Sequence, residues 1–272
     1  MRHLPNLLTL ANLFCGCIAI VLILNAQPFL YYTGQGAPAI QWSWVYGVEQ
    51  LQWGAVFIFL AALFDLLDGL AARALKVFSP IGKDLDSLAD VVSFGVAPAM
   101  ILYKLLWDAV TREPMVRDVN IALIAPAFLL ACFAALRLAR FNNEPAKADK
   151  TDNSFTGLPT PAAGIFVACL GLMNWDAPGG MSAWLFSRWP LYFLIVLLCW
   201  LMVSRIRFMK LMPLSWTVAQ IWPRALLILG AVAGILIFRF DAAPLIFALY
   251  FLLSFFIPRE GKVEPAIVNR ES

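Results

Sequence analysis

The sequence predicts an all-α, polytopic integral membrane protein, a helical bundle of about eight transmembrane helices. Three observations carry that prediction. Hydrophobic residues make up 62% of the 272-residue chain and charged residues only 14%. Mean hydropathy is +0.80. The apolar residues gather into runs near the ~20 residues that cross a bilayer. The formal charge of +3 is small and its basic residues are scattered between the runs, which excludes a nucleic-acid partner.

Taken in order, the expected spans lie near 5–26, 53–75, 84–107, 119–140, 160–174, 190–206, 224–240 and 242–258. No cleavage site follows the first, so it is expected to be retained and not removed as a signal peptide. The second is apolar apart from Asp65, Asp68 and Arg73, and the third opens on a polar turn before becoming apolar. The fourth ends on Arg137 and Arg140. The fifth and the last two are short, and only Asp241 and the Ala-Ala-Pro after it divide the seventh from the eighth. Residues 1–258 read as a single transmembrane domain and 259–272 as a polar, disordered tail.

Lysine and arginine placement orients these spans. With the N-terminus inside, 15 of the 20 basic residues fall on the inner side, leaving Lys104, Arg112, Arg117, Arg188 and Arg239 outside. The positive-inside rule therefore predicts a multi-pass protein of the cell inner membrane, N-in and C-in, with the 76–83 connection facing the cytoplasm.

Against this background the run "ALFDLLDGLAARAL" (62–75) stands out. An ionised Asp near the middle of a spanning helix costs roughly 2.5–3.5 kcal/mol on insertion scales, so Asp65 and Asp68 need partners. The next span opens with "GKDLDSLADVVSFGVAP" (82–98). At 100° per residue, Asp65, Asp68, Gly69 and Ala72 share an arc of about 100°, and Gly82, Asp86 and Asp90 one of about 80°. With a hairpin turn near Phe78, the two acidic faces come level, and four carboxylates converge between antiparallel helices.

Four anions in a low-dielectric setting repel one another unless cations lie among them. Oxygen ligands without His or Cys suit a hard cation, Mg²⁺ or Mn²⁺, and two such ions would balance four carboxylates. A two-metal site of this kind suits phosphoryl chemistry. Gly69, Gly82 and Ala72 clear the same faces for a bulky headgroup.

The spacing Asp65-x2-Asp68-Gly69-x2-Ala72-Arg73-x8-Gly82-x3-Asp86-x3-Asp90 resembles, at all eight positions, the signature of the CDP-alcohol phosphatidyltransferases. The stretches "LPNLLTLANLFCG" (4–16), "DLDSLADVVSFGVAPA" (84–99), "ALRLARFN" (135–142) and "FTGLPTPAAG" (155–164) resemble its serine-using branch. The branch that makes phosphatidylglycerol phosphate reads Asp-Pro-x-Ala-Asp-Lys where this chain has Asp86-Ser87-Leu88-Ala89-Asp90-Val91.

The resemblance implies a six-helix catalytic core plus two further helices, a membrane-embedded site and a homodimer. It implies that the hydroxyl of L-serine attacks the lipid-bearing β-phosphate of CDP-diacylglycerol, with CMP leaving. Asp65, Asp68 and Asp86 would be the main metal ligands, and Asp90 would complete a second metal site and act as general base. Arg73 would stay close to the nucleotide, and Gly69 and Gly82 would make room for it. Asn6, Thr9 and Asn12 would add headgroup contacts.

Other readings stand beside these. The sibling transferases use another alcohol, inositol phosphate or glycerol phosphate, and a divalent-cation transporter could use four acids without the Gly, Ala and Arg positions. Arg137 and Arg140 either snorkel at a span end or hold a serine carboxylate or a phosphate. Asn6 either caps the first helix or meets ligand. The five cysteines lie in apolar segments and read as packing groups. His3, the only histidine, stands at the N-terminus and gives no support to histidine chemistry. "GQG" (34–36) reads as a turn, and the Trp-rich segments near 42–53 and 184–189 as interface anchors.

Overall fold

A computed structural model describes residues 4–26, 29–31, 41–43, 47–75, 80–111, 120–143, 154–173, 184–209, 218–238 and 242–255. Its helices are α1 (Leu4–Asn25), α2 (Gly47–Leu75), α3 (Pro80–Asp90), α4 (Ala97–Thr111), α5 (Ile121–Ile124), α6 (Leu129–Asn143), α7 (Thr160–Leu172), α8 (Arg188–Val203), α9 (Val218–Phe238) and α10 (Ala243–Phe255). A π-helical turn, Val91–Val96, joins α3 to α4, and a 3₁₀ turn, Ala125–Phe128, joins α5 to α6. Among the described residues the chain thus forms eight helical runs, as the apolar pattern predicts. Four of them, Leu4–Asn25, Gln50–Leu75, Ile81–Thr111 and Ile121–Asn143, are long and apolar enough to cross a bilayer. The 22 residues of α1 rise about 33 Å, close to the hydrocarbon thickness.

Several boundaries differ from the sequence expectation. The third run begins at Pro80 instead of residue 84, so Gly82 and Lys83 are helical. Proline is pre-organised for the first helical position, and a polar first turn belongs to the helix although hydropathy discounts it. α2 starts at Gly47, six residues early, through the polar stretch before Trp53. The fourth run is not uniform: Pro126 lacks an N–H, and the chain tightens into the 3₁₀ turn there. Asn120 caps its start, accepting from the Ala122 N–H at 2.9 Å. The turn expected near Phe78, His3, "GQG" and the 259–272 tail lie outside the described residues.

Two three-residue strand pairs, absent from the expectation, lie in the connections. Phe29–Tyr31 pairs antiparallel with Gln41–Ser43, and Ser154–Thr156 pairs antiparallel with Arg207–Met209. The second pair leads into Gly157, at φ +77°, a conformation that favours glycine. There the Gly157 N–H reaches Ile206 O at 2.8 Å and the Leu158 N–H reaches Leu201 O at 2.9 Å. These bonds hold the start of α7 against the end of α8.

α1 packs most extensively along α2, and its buried face is a stripe of Pro5, Thr9, Asn12, Cys15, Gly16, Ala19 and Ile23. The three- and four-residue spacing keeps that stripe on one helix face. The π turn is central: α1, α6 and α7 all pack on it, and Phe94 within it is fully buried. Cys15 and Cys199 are buried in the same core, as a packing role predicts, whereas Cys17 and Cys132 are exposed. At the far end of α1, Lys104 of α4 donates to the carbonyls of Leu24 at 3.1 Å and Ala26 at 2.7 Å. It thereby satisfies carbonyls that a helix end leaves unpaired. Trp184 and Trp189 are 69% and 71% exposed.

Candidate active site

α2 brings Asp65 and Asp68, and α3 brings Asp86, to one place. One carboxylate oxygen from each lies within 4.8 Å of the others. Asp90, one helical turn beyond Asp86, stands beside this cluster of three within electrostatic reach of all of them. The two acidic faces expected from the sequence therefore meet, and the four acids converge. Asp68 and Asp90 are each 7% exposed, and Asp65 and Asp86 are half-buried.

α1 supplies the polar groups that meet two of the acids. Thr9 Oγ1 lies 2.6 Å from Asp68 Oδ2 and 3.0 Å from Pro5 O, so its single proton is offered to the nearer, charged acceptor. Asn12 Nδ2 donates to Asp90 Oδ1 at 3.5 Å. Thr9 and Asn12 thus touch carboxylates, and their expected headgroup contacts would be additional to these. Asn6 is half-buried at the third position of α1, inside the helix and not at its cap.

The cluster fits a metal site. Its donors are three carboxylates with no nitrogen or sulfur ligand, the set that suits a hard cation. Among the described residues, Asp86 Oδ1 is buried and receives no hydrogen bond. A charged oxygen in that state is costly, and a cation beside it would remove the cost.

Gly69 of the motif stands open. A Cβ placed on Gly69 would meet only the Arg73 guanidinium, at 3.9 Å. Arg73 is exposed and folds back so that its Nε donates to Gly69 O at 2.9 Å, which puts its charge at the edge of that open patch. Ala72 and Gly82 are half-buried on the flanks.

The two arginines of α6 part company. Arg137 points inward: Nη1 donates to Thr160 Oγ1 of α7 at 3.4 Å, and its charge interacts with Asp90 and with Tyr250 of α10. Its Nε is buried without an acceptor among the described residues. Arg140 is exposed and donates to Val203 O at the end of α8, 3.5 Å away. Asn142, which closes the "ALRLARFN" stretch, donates to Ser87 Oγ at 2.7 Å and accepts from Lys83 Nζ at 3.2 Å, tying α6 to the acidic helix. Sequence reasoning passed over Ser87, Ser93, Asn142, Thr160 and Tyr250. The available signal for Asn142 and Thr160 was their place inside the quoted stretches. Tyr250 offered none.

The comparisons with known proteins agree with this geometry. A family model described as CDP-alcohol phosphatidyltransferase matches residues 2–218. The chain is 31% identical over 210 residues to a CDP-diacylglycerol–serine O-phosphatidyltransferase of Bacillus subtilis, covering 76% of this chain and 90% of that protein. It is 32% identical over 214 residues to the protein of the same name in Helicobacter pylori, covering 78% and 74%. To that of Mycobacterium leprae it is 33% identical over 218 residues, covering 79% of this chain and 61% of the other. An eight-position motif folded onto two facing helices, and a family match spanning most of the chain, lead to one conclusion: the protein belongs to the CDP-alcohol phosphatidyltransferase family.

Proposed function

We propose that this protein transfers the phosphatidyl group of CDP-diacylglycerol to the hydroxyl of L-serine, giving phosphatidylserine and CMP. The observation that carries the reading is the meeting of Asp65, Asp68 and Asp86 within 4.8 Å, in a chain whose similar proteins carry the serine transferase name. In this reading the cluster holds Mg²⁺ or Mn²⁺, two ions, with Asp90 contributing to the second. When bound, such ions supply charge neutralisation for the diphosphate and for the departing CMP.

The side chains do the rest by position. The open patch over Gly69, flanked by Ala72, Gly82 and Arg73, takes the cytidine and its diphosphate. Asp90 takes the proton of the serine hydroxyl as its oxygen bonds to the β-phosphorus and the bond to the CMP oxygen breaks. A serine hydroxyl is a weak nucleophile at neutral pH, and general-base assistance is commonly worth about 10²–10⁴-fold. Arg137, with a buried Nε that lacks an acceptor among the described residues, receives the serine carboxylate. Arg140, at the surface, draws anions toward the site. The site faces the cytoplasm in an inner membrane, N-in, as the 15 of 20 inner basic residues favour.

The test is direct. Purified protein with CDP-diacylglycerol and Mn²⁺ or Mg²⁺ is offered L-serine, glycerol 3-phosphate and inositol phosphate while CMP is followed. Release with serine far above the others is expected. Equal release with glycerol phosphate would move the protein to a sibling activity.

A further inference from the structure

The helix that bears Asp86 and Asp90 changes its winding immediately after Asp90. Over Val91–Val96 it is a π turn, and the Ala97 N–H bonds to Val92 O, five residues back. A π turn carries one additional residue, which re-phases the faces on either side by about 100°. Without it, Ala97 and Ile101 would continue the face of Asp86 and Asp90. With it, the acids address α1 and α2 while Ile101 packs on Gly171 of α7, where a Cβ would come within 3.2 Å of Ile101 Cδ1.

Such a turn is poorly stabilised by its own hydrogen bonds and needs outside support. Here the support comes from three helices, each at a contact where one of the two partners is a glycine. A Cβ on Gly16 of α1 would lie 2.9 Å from Ser93 Cα, and one on Gly164 of α7 would lie 3.0 Å from Phe94 Cα. A Cβ on Gly95, in the turn itself, would lie 3.1 Å from Ala134 Cβ of α6. Small residues at these three contacts let the backbones close on the turn from three sides.

Asn12 grips both sides of the transition. Its side-chain amide donates to Asp90 Oδ1, just before the turn, at 3.5 Å. Its main-chain carbonyl accepts from Ser93 Oγ, within the turn, at 3.1 Å. Both residues are 0% exposed. A helical serine commonly bonds to the carbonyl four residues back in its own helix; Ser93 instead reaches across to α1.

We propose that Asn12, Ser93 and the π turn form a clamp that aims the Asp90 carboxylate, with Ser93 as a positioning residue for the transfer reaction. Asp90 Oδ1 is held by Asn12, which leaves Oδ2 to face the reacting hydroxyl. The proposal rests on the reading of Asp90 as general base given above. It goes beyond that reading by assigning a role to residues outside the eight-position motif.

The experiment combines Ser93→Ala, Ser93→Cys and Asp90→Asn in full-length protein, with kcat, the apparent KM for CDP-diacylglycerol and Mn²⁺ affinity as readouts. Ser93→Ala is expected to lower kcat by about 10-fold or more while KM and Mn²⁺ affinity stay within about two-fold, since the residue supports a group without binding ligand. Ser93→Cys, which keeps a weak donor, falls between the two. On the Asp90→Asn background, Ser93→Ala should add no further loss, because residues acting through one group are non-additive. A kcat within about two-fold of wild type, or a full additional loss on that background, overturns the clamp. Amide hydrogen exchange over 91–97 needs no turnover: Ser93→Ala should accelerate it. If Asp90→Asn keeps wild-type kcat, the base reading fails, and exchange then decides the clamp alone, with unchanged exchange overturning it.

Discussion

α2 and α3 meet α1 through polar groups aimed at one another, Thr9 at Asp68 and Asn12 at Asp90. α10 also meets the bundle through apolar shape, beside the interaction of its Tyr250 with Arg137. Phe247 of α10 stacks on Phe166 of α7 with ring centroids 4.1 Å apart, while Ile228, Leu229 and Leu236 of α9 are 65%, 67% and 79% exposed. α1, α2, α9 and α10 are apolar in bulk, and α3 is amphipathic. Within lipid depth, however, a polar atom has few acceptable neighbours and an apolar one has many. Geometry is therefore fixed closely where the acids lie and loosely where α9 and α10 pack. The family match reflects the same division, ending at residue 218 where α9 begins. Substitutions in the first region should change chemistry at nearly constant stability, and those in the second should do the reverse.

The largest expected effect is metal removal. Exhaustive chelation should abolish CMP release, and Mg²⁺ or Mn²⁺ should restore it, because the donor set is carboxylate only. Asp65→Asn or Asp86→Asn should lower Mn²⁺ affinity and turnover together, with thermal unfolding in detergent little changed. Full activity after chelation would remove the metal from the reaction and erase the contrast between the two regions.

Next comes Asp90→Asn, which keeps size and loses basicity. It should cut kcat by at least about 10²-fold while CDP-diacylglycerol binding changes little. Liponucleotide affinity measured beside the single-turnover rate is the check. Affinity and rate lost together would make Asp90 chiefly a ligand of the metal site.

Arg137→Ala should raise the apparent KM for serine by about 10-fold, the order expected for one charge-assisted hydrogen bond, with a smaller change for the liponucleotide. Arg140→Ala should do less, since its guanidinium is turned to the Val203 carbonyl. A serine KM unchanged in the Arg137 variant would leave that arginine as a packing and topology residue. The smallest effect on chemistry should come from Phe247→Ala, which is expected to lower stability by about 1 kcal/mol through loss of the ring pair. Its kcat per folded molecule should match wild type. A clear loss of kcat there would show that α10 reaches the site more strongly than its packing on α7 implies.

Much of this molecule is legible from residue spacing. Eight apolar runs give eight helical runs. The arcs shared by Asp65 and Asp68 and by Asp86 and Asp90 bring the acids together because a rigid helix converts sequence distance into direction. The π turn escaped that logic. "VVSFGV" has no mark that sets it apart from ordinary helix, and Gly16, Gly164 and Ala134, which close on it, lie on other helices. The opposite orientations of Arg137 and Arg140 also escaped it. Three residues apart, they lie within about 60° of one another on a helix, and only the arrival of Thr160 and Tyr250 separates them. Strand pairs of three residues have too little sequence to announce themselves, apart from Gly157 at the end of one.

The open space over Gly69 has a genetic consequence. Gly69→Ala meets no wall in the folded protein and improves helix propensity by about 1 kcal/mol. Cellular proteases and chaperones sense the unfolded fraction, so such an allele would accumulate to full abundance. Its methyl group would nonetheless occupy the volume assigned to the nucleotide. A screen scoring protein level would pass it as benign, and one scoring lipid product would score it as a loss. If Gly69 makes room for the nucleotide as proposed, position 69 is where this chain's abundance and its output come apart.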